Sequence, residues 1–432
     1  MRHHKTFSLL LTCLLLVTIS GAPAVAQEHV IVRDSLGQNA LQLTCLLLTC
    51  NVTETVDGAL GQVFLVTVPN NVPLATFLQE LVGQLGIVDA EPDLPLHVMQ
   101  SRTAPSSLYD TSPVNYYGTS VWNGYVNQPA AQIINLTAAQ RSFNVSGAGT
   151  VADIDTGVDT THPVLQGVLV PGYDFTRNQS GGSELADVNQ STMAVVNDVY
   201  VAQVNQSTMA VVNDQGYSTF SQSQYAAFGH GTMVSGVIHL VAPTAHIMPL
   251  KAFRADGTGS LSDVLRAIYY ATRNGANILN MSFDFPTYSP ELQKAVNHAA
   301  NRGVISVASV GNDGKQAVVY PAGLKNVMGV ASTANDDTLS SFSNYGQPPV
   351  WVGAPGEGIV TTYPYGTYAA GWGTSFSTPF VSGTVALLWT SGGNLNQQSA
   401  AQAISHALYI SPALGNGRLD VSRAVAAGYQ MN

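Results

Sequence analysis

Cysteine is nearly missing from this 432-residue chain, which has three, at positions 13, 45 and 50. Nothing beyond residue 50 is cysteine. The bulk of the chain therefore has no disulfide, no thiolate metal site and no cysteine nucleophile. Charge is scarce too: 10% of residues are charged and the formal net charge is −10, with no basic cluster. This argues against nucleic acid or an anionic membrane as a partner. No apolar run after the N-terminus is long enough to span a bilayer. His-Glu-x-x-His is absent, so zinc peptidase chemistry has no support. Asp-Thr-Gly occurs once, at Asp155, and no Asp-Ser-Gly exists. An aspartic peptidase needs two carboxylates sharing a proton, and the second is not supplied. His162, His239, His246 and His298 are scattered among apolar or helical residues and read as structural. Acidic loops such as Asp336-Asp337 would suit calcium, but no ligand spacing supports a site. No metal site is assigned and no cofactor is required.

Apolar residues are plentiful at 45%, enough for a large core and more than one unit. Residues 1–26 read as a secretory signal: a basic start (Met1-Arg2-His3-His4-Lys5), an apolar stretch over 7–19 and an Ala24-Val25-Ala26 cleavage signature. A soluble, secreted or extracytoplasmic protein is expected. Residues 27–102 form a small unit. Strand-like 28–33, 61–69 and 87–93 surround a helical spacing over 72–85, which suggests a ferredoxin-like α+β module. The stretch 103–147 begins rich in Ser, Thr, Pro, Tyr and Gly and reads as a linker and arm. From 148 to 432 the pattern changes to alternating strands and helices. Strands are expected at 150–155, 245–253, 277–283, 304–310 and 327–331. Helices start near Ser260-Leu-Ser-Asp263 and Ser289-Pro290. The alternation predicts a doubly wound, mostly parallel α/β sheet with helices on both faces. Sites in such sheets form at the carboxyl ends of strands, where Asp155, Ser282 and Asn312 fall. One eleven-residue segment occurs identically at 188–198 and 204–214, within an insertion spanning 183–216. It reads as a hairpin-like decoration with no chemistry assigned.

Three groups stand in the order acid, imidazole, hydroxyl. Asp155 lies in Asp-Ile-Asp-Thr-Gly-Val-Asp159. His230 lies in Gly229-His-Gly-Thr-Met-Val-Ser-Gly236. Ser375 lies in Gly371-Trp-Gly-Thr-Ser-Phe-Ser-Thr-Pro379. A serine hydroxyl is too weak an acid to attack an amide unaided. An imidazole can take its proton and return it to the leaving amine, and a carboxylate can fix the imidazole tautomer. Glycines bracket His230, so backbone can crowd it. Ser375 opens a mostly apolar helical run, where unpaired N–H groups favour an oxyanion. Pro379 is expected in an early turn, where its missing N–H costs little. Asn312, in Ser309-Val-Gly-Asn-Asp-Gly314, ends an apolar strand with an amide that could hold the tetrahedral oxyanion.

These four segments, in this order, resemble those of the subtilisin-like serine peptidases, the subtilases. The resemblance extends to Asn280-Met-Ser282, Tyr320-Pro-Ala322 and Gly415-Asn-Gly-Arg-Leu-Asp420, and covers roughly 148–428. It implies a seven-stranded parallel sheet and serine endopeptidase activity on proteins or peptides through an acyl-enzyme. It gives Asp155, His230 and Ser375 as the triad and Asn312 as oxyanion donor, with Ser282, Phe283, Asp284 and Gly311 lining the cleft. Residues 27–102 resemble the family's inhibitory propeptide, above all Ile87-Val-Asp-Ala-Glu-Pro-Asp93. A monomeric, self-inhibited precursor is expected, cut between about residues 95 and 127. The chain departs from the pattern in three places. Asp153 stands where an apolar strand residue is usual, on the same strand face as Asp155. Asp284 and Phe285 stand where glycines commonly line the cleft. Met233 replaces a frequent second histidine. Asp153 and Asp284 also motivate a rival, a catalytically weak binding or scaffold protein on this fold. A peptide ligase or cyclase is the third option.

Overall fold

The computed structural model describes residues 28–70, 72–93, 95–96, 105–188, 201–203, 209–212, 225–390 and 395–431. The segment read as a secretory signal and nearly all of the first repeat copy lie outside them. The first unit runs β1 (His29–Asp34), α1 (Gln38–Leu48), β2 (Asn51–Thr55), β3 (Val63–Thr67), α2 (Leu74–Val82) and β4 (Ile87–Pro92). Its four strands pair in the order β2-β3-β1-β4, the ferredoxin-like arrangement. Phe77 and Leu81 bury the apolar face of α2 against Val30, Val32 and Phe64. The helix is shorter than its spacing suggested: Pro73 precedes it and Gly83 caps it. A disulfide joins Cys45 to Cys50 across the end of α1. A two-residue strand, β5 (Pro95–Leu96), follows.

The arm carries a hairpin, β6 (Pro113–Tyr116) with β7 (Thr119–Trp122), then α3 (Asn123–Val126), α4 (Pro129–Ile133) and α5 (Leu136–Phe143). The large domain continues through β8 (Thr150–Asp155), β9 (Tyr173–Asp174), β10 (Gln179–Ser180), β11 (Val201–Gln203), β12 (Met209–Val212), α6 (His230–Val241), β13 (His246–Lys251), β14 (Gly259–Ser260), α7 (Leu261–Arg273), β15 (Ile278–Met281) and α8 (Pro290–Ala300). It ends with β16 (Ile305–Ser309), β17 (Met328–Thr333), β18 (Val350–Pro355), β19 (Ile359–Tyr363), β20 (Thr367–Gly371), α9 (Thr374–Trp389), α10 (Gln397–Ile404) and α11 (Val421–Met431). The main sheet has the order β10-β9-β13-β8-β15-β16-β17-β18. Seven strands are parallel, and β10 adds an antiparallel eighth at the edge. Both faces are covered, so the central strands are apolar on both sides. Ser260 and Ser289 cap α7 and α8, accepting from the N–H groups of Asp263 and Leu292 at 3.2 and 3.0 Å.

A second sheet, β11-β12-β20-β19, is antiparallel. Within the stretch read as an insertion, β11 and β12 pair antiparallel. The second repeat copy supplies β12, which pairs Met209 with Gly371, four residues before Ser375.

The small unit docks on α7 and α8 of the large domain. Ile31, Val56 and Val63 join the apolar cluster of Leu261, Leu265 and Leu292. Around it, Arg33 Nη2 meets Glu291 Oε2 at 2.6 Å and Arg266 Nη2 meets Glu54 Oε1 at 2.7 Å. Two carboxylates of the small unit meet helix starts. Asp93 accepts from the Ser262 N–H and hydroxyl, both at 3.0 Å, and Glu91 accepts from Ser289 Oγ at 2.6 Å and the Glu291 N–H at 3.2 Å. Beyond them, β5 pairs antiparallel with β14, Leu96 opposite Gly259.

Candidate active site

Parallel strands set Asp155 at the carboxyl end of β8, Ser282 just past β15, and Gly311 and Asn312 just past β16. Two buried helices point their N-termini at these ends, α6 starting on His230 and α9 placing Ser375 second. Close approach is possible because the intervening residues are small. A Cβ on Gly231 would lie 2.1 Å from the Gly157 carbonyl oxygen, and one on Gly229, at φ +90°, would lie 2.2 Å from the Tyr363 ring.

His230 Nδ1 lies 2.7 and 2.9 Å from the two oxygens of Asp155, and both side chains are buried. Asp155 Oδ1 also accepts from the Thr156 N–H at 2.6 Å. That carboxylate holds the ring so that Nε2 is the free nitrogen. His230 Nε2 is buried and has no hydrogen-bond partner among the described residues. Its ring lies 5.5 Å from that of Phe376, the residue after Ser375. The Ser375 hydroxyl does not bond to His230 here; it donates to the Ser282 carbonyl at 2.9 Å. Asn312 Oδ1 accepts from the Thr374 N–H and hydroxyl at 2.9 and 3.0 Å, which turns the amide N–H₂ end away from Thr374.

Pro379 corrects an expectation. It is the sixth residue of α9, not an early-turn residue, so its missing N–H leaves the Ser375 carbonyl without its i+4 donor. Ser282 Oγ donates to that carbonyl instead, at 2.9 Å. Ser282 Oγ accepts from Asn280 Nδ2 at 3.0 Å, and Asn280 Nδ2 also donates to Asp153 Oδ1 at 3.0 Å. Asp153 thus anchors a chain of hydrogen bonds that ends on the Ser375 carbonyl. Burial, and then the charge of Asp155, push its carboxyl well above the ordinary carboxylate range.

Sequence reading missed Glu184 and Lys251. Glu184 is fully buried behind His230, accepting from the Gly229 N–H at 2.7 Å and from the Thr232 hydroxyl. Burial pushes its pKa up to about 8. Lys251 Nζ donates at 2.7 Å to the carbonyl of Thr156, beside Asp155, and at 2.7 Å to Asp187. Glu184 lay in a segment read as decoration, with no local motif to mark it. Of the residues set aside, Asp337 is taken up by Arg418 at 2.7 Å, and His239 is buried against Tyr125 with its pKa lowered by burial to about 4.

A pocket opens beside His230, lined also by Phe253, Gly257, Ser282 and Phe283. Gly257 lies two residues before Gly259, where β5 pairs. Residues 147–428 match the subtilase family. The chain belongs to this family. Among subtilase relatives, thermitase from Thermoactinomyces vulgaris is 35% identical over 266 residues, 59% of this chain and 80% of that protein. A thermophilic serine proteinase of Bacillus sp. (strain AK1) is 36% identical over 251 residues, 58% of this chain but 54% of that protein. Subtilisin BL of Lederbergia lenta is 40% identical over 169 residues, 37% of this chain and 62% of that protein. The chain thus spans between about half and four fifths of these subtilases. The solved structure of fervidolysin from Fervidobacterium pennivorans, a keratinolytic enzyme related to subtilisin, superposes with a TM-score of 0.70 at 21% identity, over 93% of this chain and 61% of that one. A lanthipeptide protease superposes at 0.54 with 22% identity, over 71% of this chain and 95% of that one. At these identities the likeness is one of fold.

Proposed function

We propose that this subtilase is a secreted serine endopeptidase that hydrolyses proteins through an acyl-enzyme and is made as a self-inhibited, monomeric precursor. The observation that carries the reading is the Asp155–His230 pair, with Nε2 unpartnered among the described residues and the ring 5.5 Å from that of Phe376, the residue after Ser375. Rotation of the Ser375 side chain about its Cα–Cβ bond is the change that would hand its proton to Nε2. Oxygen then attacks the scissile carbonyl, and His230 returns the proton to the leaving amine. Asn312 and the first N–H groups of α9 would then answer the negative charge that develops on the carbonyl oxygen. Water repeats the cycle on the ester. No helix among the described residues is long and apolar enough to cross a membrane.

Inhibition is supported by the docked small unit. Its β5 adds a strand to β14, the way a peptide adds to a sheet edge. Cleavage between about residues 95 and 127 would free it. N-terminal sequencing of the mature protein reads that position; a mature chain still starting near Gln27 contradicts it. The scaffold alternative rested on Asp153 and Asp284. Against it, Asp153 is hydrogen-bonded into the support of Ser375 instead of displacing His230. Casein hydrolysis by the matured protein, lost in Ser375→Ala, tests the activity. No Ser375-dependent hydrolysis overturns it.

A further inference from the structure

Asp284 is a carboxylate with no hydrogen bond and no ion pair among the described residues. It follows Ser282-Phe283 past the end of β15 and is half-buried. No hydrogen-bond donor reaches it among the described residues; its electrostatic neighbours are Asp313 and Lys315. Other buried acids of the domain are held: Asp174 by Arg177 at 2.9 Å, Asp187 by Lys251 at 2.7 Å. Lys315 does not serve Asp284 in this way. It pairs with Asp313 at 3.2 Å, and both side chains are more than half exposed. Taking a carboxylate partly out of water without a counter-charge is unfavourable, so it is kept where a ligand brings the missing charge.

The location says which part of a ligand that is. Ser309 Oγ donates to the Phe283 carbonyl at 3.1 Å and ties the ends of β15 and β16 together. Asp284 is the next residue outward on one side, and Gly311 lies two residues beyond Ser309 on the other. Asp284 Oδ2 lies 2.9 Å from where a Cβ on Gly311 would be, and Asn344 Nδ2 lies 2.6 Å from the same point. Gly311 precedes Asn312, and Ser375 Oγ is bonded to Ser282, two residues before Asp284. A residue presenting its carbonyl to Ser375 and Asn312 would send its side chain between these two strand ends.

We propose that Asp284 determines specificity by accepting the ammonium or guanidinium group of a lysine or arginine that supplies the scissile carbonyl. The proposal rests on the peptidase reading above. It also makes the preference depend on pH. Burial, and then Asp313, push the Asp284 carboxyl up to about 7, with Lys315 opposing. The other groups nearby are the neutral Asn344 amide, the phenyl rings of Phe283 and Phe285, and Tyr320, whose backbone pairs with Phe285. Asp284 is thus charged above about pH 7 and neutral below it.

The test uses matured full-length-derived enzyme and matched peptide amides that differ only at the residue before the scissile bond: Arg, Lys, Leu or Gln. The ratio of kcat/KM for Arg to that for Leu cancels the titration of His230. With a pKa of about 7, the ionised fraction of Asp284 rises about tenfold between pH 6 and pH 9, and the ratio rises with it. In Asp284→Asn the ratio is lower and flat with pH. A flat ratio in the native enzyme, a preference for Leu at pH 9, or the same rise in Asp284→Asn overturns the proposal. Ser375-dependent casein hydrolysis is run alongside. If it is present and the ratio is flat, this proposal alone fails; if it is absent, the peptidase reading fails and takes the proposal with it.

Discussion

Asp153 and Asp155 share one strand face and divide the work. Asp155 is bonded to His230, whose cation it would stabilise. Asp153, deeper in the sheet, takes hydrogen bonds from Ser235 Oγ at 2.8 Å and Asn280 Nδ2 at 3.0 Å and is held toward its neutral form by burial and its neighbour's charge. Asp153→Asn should therefore leave the acid limb of the kcat/KM profile in place. An anion at 153 would support the His230 cation, so removing one would instead move that limb to lower pH. Asn312→Ala should lower kcat and leave KM little changed. In a related subtilisin the loss of one such donor lowers kcat about 10²–10³-fold, and that enzyme sets the scale expected here. A comparable fall in binding with kcat intact would remove Asn312 from the oxyanion role.

At the scale of elements, α9 depends on a proline and its substitute donor. Pro379 frees the Ser375 carbonyl, and Ser282 Oγ reaches it from the end of β15. Ser282→Ala leaves that carbonyl without its donor and removes an acceptor from Asn280, at a cost of about 1–3 kcal/mol in unfolding free energy. It should also lower kcat, because Ser375 loses its tie to the sheet. Unchanged stability would mean that the bond contributes nothing. The alternating strands, the capped helices and the four site segments were legible because each is a local pattern: apolar strand runs ending in Asp155 or Asn312, and Ser-x-x-Asp or Ser-Pro at helix starts. The Asp153–Asn280–Ser282 chain was not, because it depends on register between β8 and β15, where Asn280 falls opposite Asp153. Glu184 was hidden for the same reason, since its donors at Gly229 and Thr232 come from α6, far along the chain.

At the scale of the whole molecule, docking of the small unit buries acids. Burial pushes Glu91 up to about 7, with Glu291 and Asp89 adding to it, and Asp263 up to about 6; it also raises Glu54, Asp57 and Asp93. A carboxyl whose pKa is higher when docked favours docking most fully below its ordinary value, 4.5 for Glu91, and that contribution is lost as pH rises through about 7. After cleavage, co-elution of the small unit with the large domain should weaken between pH 5 and pH 8. Tighter association at pH 8 would mean that the ion pairs of Arg33 and Arg266 outweigh the buried acids. The account as a whole stands on Ser375 being the hydroxyl that His230 activates. Fluorophosphonate labelling of matured protein, read by peptide mass, tests this most directly. One adduct on Ser375, absent in Ser375→Ala and in His230→Ala, is the predicted result; no adduct on Ser375 in properly matured protein, or labelling that persists in His230→Ala, contradicts it.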